Sequence, residues 1–237
     1  MIRRAGLTGL LRLTAALPLP LAHRIGSMLG WLLWRFPNGL RWIAAEILAF
    51  VSSTPDPVEA KLGHLARISW NSKLFLELGP LWLWPGARVL DLVRAPVVGE
   101  EALSAAVRQQ RGAILITPHL GAWEMAGLYY SSRYPLTILY RPSRLGLDEL
   151  SCRGRGRLGG KVVATDSSGI RTLVAALRKG EALGILPDQD PGDEGGVFAP
   201  FFGIAASTMT LVSRLALKTG APVFWTGPSN TVYEGQT

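Results

Sequence analysis

From Val89 onward, short apolar runs alternate with stretches in which apolar residues recur every third or fourth position. The runs 113–117, 136–140, 161–164 and 182–186, and another beginning at Pro222-Val223-Phe224-Trp225, read as buried strands. Between them the spacing predicts helices. One covers 99–111 and is closed by Gly112, and a second covers 122–131. A third opens at Ser167 or Ser168, carries Ile170, Leu173, Val174 and Leu177 on one face, and stops at Gly180. A fourth opens at Ser207 or Thr208 and ends at Gly220. The Arg/Gly-rich stretch between 140 and 161 reads as a loop. Strands alternating with helices predict an α/β fold with a mixed, largely parallel sheet flanked by helices on both faces.

The first fifty residues follow a different pattern. Leucines, Ile25, Trp31, Trp34 and Phe36 are interleaved with Arg3, Arg4, Arg12, Arg24, Arg35 and Arg41, and no acid precedes Glu46. A spanning helix needs about 20 consecutive apolar residues, and here Pro18, Pro20 and Arg24 interrupt the run. The segment therefore reads as hydrophobic, basic helices lying in a membrane interface, with tryptophans and arginines at headgroup depth. The alternatives are a tilted or broken span and a buried helical hairpin. Ser52-Ser53-Thr54-Pro55-Asp56-Pro57 punctuates the chain, which places a domain boundary near 50/51, and a helical pattern follows from Val58 to Leu78. The net charge of +8 adds an attraction for anions. Because the arginines alternate with large aliphatics, lipid headgroups suit them better than nucleic acid. Cys152 is the one cysteine of the 237 residues, which rules out an intramolecular disulfide and fits a reducing compartment.

The chemistry collects where strands end. Pro118-His119-Leu120-Gly121-Ala122-Trp123-Glu124 follows run 113–117, Tyr140-Arg141-Pro142-Ser143-Arg144 ends run 136–140, and Pro187-Asp188-Gln189-Asp190-Pro191-Gly192 follows run 182–186. In open α/β sheets, sites form outside the carboxyl ends of the strands. Parallel strands would thus bring His119, Glu124, Arg141 and Asp188 to one rim. Within one helix, positions 119 and 124 would lie ~140° apart at about 3.6 residues per turn. A strand, a turn at Leu120-Gly121 and a helix from Ala122 would instead bring them together. His119 then reads as a general base for acyl transfer to a hydroxyl, with Glu124 fixing its tautomer. The plainer alternative is a surface histidine and an acid favoured by a helix N-terminus. Arg141, Arg144, Arg153, Arg155 and Arg157 offer guanidinium forks to a phosphorylated ligand. There is no G-x-S-x-G elbow, so direct attack by the acceptor on an activated thioester is favoured over an acyl-enzyme. No zinc spacing or P-loop is present, and Asp188 with Asp190 reads as an Asx-capped turn in preference to a magnesium pair.

These blocks resemble a known family. The H-x4-E of His119 and Glu124 is similar to the first motif of the bacterial lipid A late acyltransferases, within the lysophospholipid acyltransferase superfamily. Tyr140-Arg141-Pro142, then Leu186 to Gly192, then Val197-Phe198-Ala199-Pro200-Phe201-Phe202-Gly203 followed by Ser207-Thr208-Met209-Thr210, resemble its later blocks in the same order. The resemblance implies a glycerolipid acyltransferase-like fold over 51–237 and an enzyme on the cytoplasmic face of the bacterial inner membrane. It implies acyl transfer from acyl carrier protein to a lipid A precursor, with His119 as base and Glu124 as its partner. It also implies substrate-binding roles for Arg141, Asp188, Gln189 and one of Arg155 and Arg157. The expected partners are acyl carrier protein, a membrane lipid acceptor and the membrane surface. No bound cofactor or metal is expected, the phosphopantetheine thioester being carried by the donor, acyl carrier protein or CoA. The rival readings are an acyl-CoA-dependent phosphatidylinositol mannoside or lysophospholipid acyltransferase, and an inactive membrane-surface homologue. Family members continue past the strand at Val223, so the domain is expected to be shortened at its C-terminus.

Overall fold

Burial of the apolar runs on both faces of a sheet explains the architecture seen in the computed structural model, which describes residues 2–36, 77–93, 97–119, 122–142, 148–192, 195–201, 203–226 and 232–234. The chain divides into two units, 1–84 and 85–237. The expected boundary at 50/51, most of the helical pattern from Val58 to Leu78, the Leu120-Gly121 turn, and Ser143 and Arg144 lie outside the described residues.

In the second unit, β1 (Ala113–Ile116), β2 (Leu136–Tyr140), β3 (Lys161–Ala164), β4 (Ala182–Ile185), β7 (Val223–Thr226) and β8 (Val232–Glu234) form one sheet in the order β3-β2-β4-β1-β7-β8. The first five strands are parallel and β8 is antiparallel on the edge. The α/β expectation of a largely parallel sheet flanked by helices therefore holds. Alternation within each strand splits the core in two. Ala113, Leu115, Leu136, Ile138 and Phe224 face α4 (Glu100–Arg108) and α5 (Trp123–Arg133), where Leu103, Ala106, Tyr129 and Tyr130 pack. Ile114, Leu139, Leu183 and Ile185 face α7 (Ser167–Arg178) and α8 (Leu211–Thr219), against Leu173, Ala176, Leu177 and Leu215. A short α3 (Gly86–Leu90) precedes this layer.

Three sequence expectations change. The Arg/Gly-rich stretch is not a loop; it contains α6 (Asp148–Gly156). Asp148 and Glu149 sit in its first turn and Arg153 and Arg155 in its last, so both ends complement the helix dipole, and Glu149 pairs with Arg153 at 2.9 Å. These terms outweigh the helix cost of the glycines. The cap of α7 is Asp166, not Ser167 or Ser168, and its carboxylate accepts the Gly169 N–H at 2.8 Å. A side chain at Gly169 would overlap the Ala164 carbonyl, so only glycine fits where the helix leaves β3. Ser207 and Thr208 do not open a helix. They lie in β6 (Ile204–Met209), which pairs with β5 (Gly196–Phe201) as a separate antiparallel hairpin, and α8 starts after Thr210.

In the first unit, α1 (Ile2–Ala16) and α2 (Leu19–Arg35) are separated at Pro18, and Pro20 sits in the first turn of α2, where its missing N–H is no loss. Residues 77–83 are helical. The Trp84 indole N–H donates to the Ala15 carbonyl at 2.6 Å. Gly79 lies so near α1 that a side chain there would overlap Thr14 Oγ1 and the Leu11 carbonyl. Among the described residues, no helix is long and apolar enough to cross a membrane.

Candidate active site

The parallel registers set the site. β4 pairs with β1 on one side and β2 on the other, so the segments leaving all three strands emerge at one rim. Asp188 reaches the histidine from 69 residues away. Its Oδ2 accepts the His119 backbone N–H at 2.7 Å, and its Oδ1 lies 2.7 Å from His119 Nδ1. The two side chains are 33% and 38% exposed, open enough for a substrate to reach the ring yet held on one side. With Nδ1–H donating to the carboxylate, Nε2 carries the free lone pair. Gln189 Nε2 stands 3.2 Å from it as a donor. Trp123 packs edge-on against the imidazole, with centroids 5.1 Å apart.

Glu124 is placed differently from the sequence expectation. It is buried in the first turn of α5, and its carboxylate receives a guanidinium fork from Arg155: Nε to Oε1 at 3.0 Å and to Oε2 at 3.2 Å, and Nη2 to Oε1 at 2.6 Å. The Arg155 guanidinium also stacks on Trp123, 5.2 Å from the ring centroid. The hydrogen bonds of the His119 ring thus run to Asp188 and Gln189, while Glu124 bonds Arg155, whose guanidinium lies over Trp123. A helix places Arg155 here, because α6 lies against α5 and aims its last turn at Glu124. Of the two arginines left open by the sequence, Arg155 is the one bonded to Glu124. Arg155 lines the cavity and Arg157 does not; partial burial lowers the pKa of the Arg157 guanidinium.

The rim opens into a cavity of about 620 Å³ whose lining combines polar groups, among them His119, Arg141, Arg155 and Gln189, with apolar ones, among them Ile138, Leu139, Ile170, Val174, Leu186 and Leu215. A volume of this size lies within the usual range for ligand sites, about 300–1,000 Å³. Arg141 Nη1 donates to the Asp190 carbonyl at 3.2 Å. The Asp190 carboxyl is held below the usual carboxylate range by the Gly192 N–H, then by the Ser207 hydroxyl, with Arg141 adding to the effect. Asp190 therefore clamps the turn onto the hairpin as an Asx turn does. Tyr140 lines the wall, its phenol pushed up to about 12, first by the hydrogen bond it shares with Cys152 and then by burial. Among the described residues, no group of three or more His, Cys, Asp or Glu side chains gathers to hold a metal.

Sequence reasoning missed Trp123 as a contact of the base, and it missed Arg214 and Lys218, which line the cavity from α8. Their i,i+4 spacing on a helix after the last motif block was the available signal.

A histidine held by a carboxylate at the carboxyl rim of a parallel sheet, lining a cavity with many apolar residues, defines an α/β protein with a candidate site for a partly apolar ligand. Comparisons agree. A family described as Bacterial lipid A biosynthesis acyltransferase matches residues 5–237. The chain is 30% identical over 212 residues to the lipid A biosynthesis palmitoleoyltransferase of Escherichia coli (strain K12), covering 88% of this chain and 68% of that protein. It is 29% identical over 215 residues to the lipid A biosynthesis lauroyltransferase of the same strain, covering 90% and 69%. Over 156 residues it is 30% identical to the phosphatidylinositol mannoside acyltransferase of Mycobacterium tuberculosis (strain ATCC 25618 / H37Rv), covering 63% and 47%. The chain belongs to the bacterial lipid A biosynthesis acyltransferase family.

Proposed function

We propose that this chain is an O-acyltransferase that moves a fatty acyl chain from the thioester of acyl carrier protein to a hydroxyl of a lipid A precursor, at the cytoplasmic face of the inner membrane. The observation that carries the mechanism is the His119–Asp188 pair, whose histidine lines the cavity. The acceptor hydroxyl displaces the Gln189 amide from Nε2 and gives its proton to that nitrogen as its oxygen attacks the thioester carbonyl. Asp188 keeps Nδ1 protonated and offsets the positive charge that forms on the ring. The tetrahedral intermediate collapses to the ester, and the departing thiolate takes the proton back from Nε2. No covalent enzyme intermediate is needed. General-base assistance of this kind is worth about 10²–10⁴-fold, and the remainder comes from positioning and from stabilising the oxyanion.

The apolar walls receive the acyl chain, each buried methylene contributing about 0.8 kcal/mol. Arg141, Arg214 and Lys218 supply cations for a phosphorylated acceptor. The exposed Leu13, Met28, Trp31 and Phe36 of the first unit fit helices resting in a membrane interface. The mannoside acyltransferase likeness supports a second reading with the same base and a different acceptor.

The test is mass spectrometry of lipid A from cells lacking and re-expressing the chain, with His119→Ala as control. One added acyl mass that requires His119 supports the reading. Unchanged lipid A overturns the acceptor assignment, and an added mass that survives His119→Ala overturns the mechanism.

A further inference from the structure

The β5–β6 hairpin takes no part in the proton transfer, and its chemistry points outward. Among the described residues its strands pair with each other and not with the six-stranded sheet. From Gly195 to Ser213 the chain carries no charged side chain. Phe198 is 81% exposed, and Val197, Phe201 and Ile204 are each more than half exposed. The register puts Phe198 opposite Ser207 and Pro200 opposite Ala205 on one face, and Val197 opposite Thr208 and Phe201 opposite Ile204 on the other. Both faces are therefore apolar. A protein partner would cover one face, whereas a bilayer surrounds both. A two-stranded hairpin left in water is marginal at best.

The root of the hairpin is anchored and cationic. The Thr210 N–H and hydroxyl both donate to the Gly195 carbonyl at 3.3 Å, and Ser207 is tied to Asp190. Gly195 and Met209 border the cavity beside Arg214 and Lys218, which are exposed on α8 with the 86%-exposed Leu217 between them. Six residues of strand at about 3.3 Å each give a finger ~20 Å long. That is enough to carry the tip about 5–10 Å into the acyl boundary while the cations stay at headgroup depth.

We infer that the β5–β6 hairpin is a membrane-dipping finger: it inserts Phe198, Phe201 and Ile204 into an anionic bilayer and sets the cavity mouth against the lipid surface through Arg214 and Lys218. A lipid acceptor then presents its hydroxyl to His119 without withdrawing its chains from the membrane; this last consequence rests on the acyltransferase reading, and the insertion itself does not.

The test places an environment-sensitive nitrobenzoxadiazole label at Phe198→Cys in a Cys152→Ser background of the full chain. The control label is at Lys179→Cys, an exposed site preceding β4 at the opposite end of the sheet. With phosphatidylcholine/phosphatidylglycerol vesicles, the label at 198 shifts to the blue and is quenched by doxyl lipids, and the label at 179 is not. Phe198→Glu with Phe201→Glu weakens vesicle partitioning about tenfold or more, and Lys218→Glu about fivefold. A label at 198 that stays aqueous while the chain floats with the vesicles overturns the inference, as does a chain that does not float. A blue shift already complete without lipid assigns the hairpin to a contact between copies and overturns it too. His119→Ala abolishes transfer and leaves the shift intact, so failure of the insertion and failure of the enzymatic reading are told apart.

Discussion

Replacing Asp188 by Asn separates the two candidate carboxylates most cleanly. The carboxylate makes two contacts of 2.7 Å with the same residue, one to the backbone N–H and one to Nδ1. An amide has one acceptor. If its oxygen stays on the backbone N–H, its NH₂ faces Nδ1, selects the tautomer protonated on Nε2, and blocks the basic nitrogen. If it turns the other way, the backbone N–H loses its partner. A hydrogen bond to a charged group is worth about 1.5–3 kcal/mol, and the roughly one-third exposure of both side chains argues for the lower half of that range. The charge beside the forming imidazolium adds up to ~4 kcal/mol at an effective dielectric constant near 20, reduced again by solvent. At 1.36 kcal/mol per tenfold, the expected loss in kcat is about 10²–10³-fold, with KM near wild type and a melting temperature lowered by only a few degrees. Initial rates with a labelled acyl thioester and detergent-dispersed acceptor measure it. Glu124→Gln in parallel is expected to lower the melting temperature, because it weakens a buried fork. Wild-type kcat in Asp188→Asn, alongside a stable but inactive Glu124→Gln, would refute the geometry and restore Glu124 as the partner of the base.

Arg155→Lys keeps the charge and loses the fork around a buried carboxylate, so unfolding in urea should show a loss of about 1–3 kcal/mol; an unchanged midpoint would mean that Glu124 is held by something else. Tyr129 and Tyr134 both donate to Glu100, at 2.8 and 2.9 Å, and burial first, then that hydrogen bond, pushes both phenols up to about 12. Their folded values exceed the ordinary value near 10, so the stability they contribute is full below about pH 10 and is lost as pH rises through about 12. Urea midpoints across that window should fall more steeply for wild type than for the Tyr129→Phe, Tyr134→Phe double variant, and parallel curves would contradict the linkage. Gly79→Ala forces a methyl group into Thr14 and the Leu11 carbonyl, with an expected cost of about 1–3 kcal/mol in thermal or urea unfolding. No change there would show that α1 and the 77–83 helix do not pack as described.

The strands, most of the helices and the rim were legible from the order of apolar and polar residues along the chain. A run such as Leu136–Tyr140 can bury its apolar side chains in few ways, and five such runs, most of them separated by helical patterns, lead to one kind of sheet. His119, Arg141, Asp188 and Gln189 were legible for the same reason: each directly follows a run whose direction the α/β order dictates. Where local signals competed, the reading failed. The glycines of 148–156 pointed to a loop, but the end charges and packing on α5 and β3 made a helix. Ser207 and Thr208 looked like helix caps until pairing with β5 claimed them. Which carboxylate meets His119 was set by packing across the sheet. Glu124 is five residues from His119 and Asp188 is 69 away, yet the adjacency of β1 and β4 brings the distant residue to 2.7 Å while Arg155 holds the nearby one. Chain separation carries no information about contact across parallel strands, because their neighbours are set by the packing of the whole sheet.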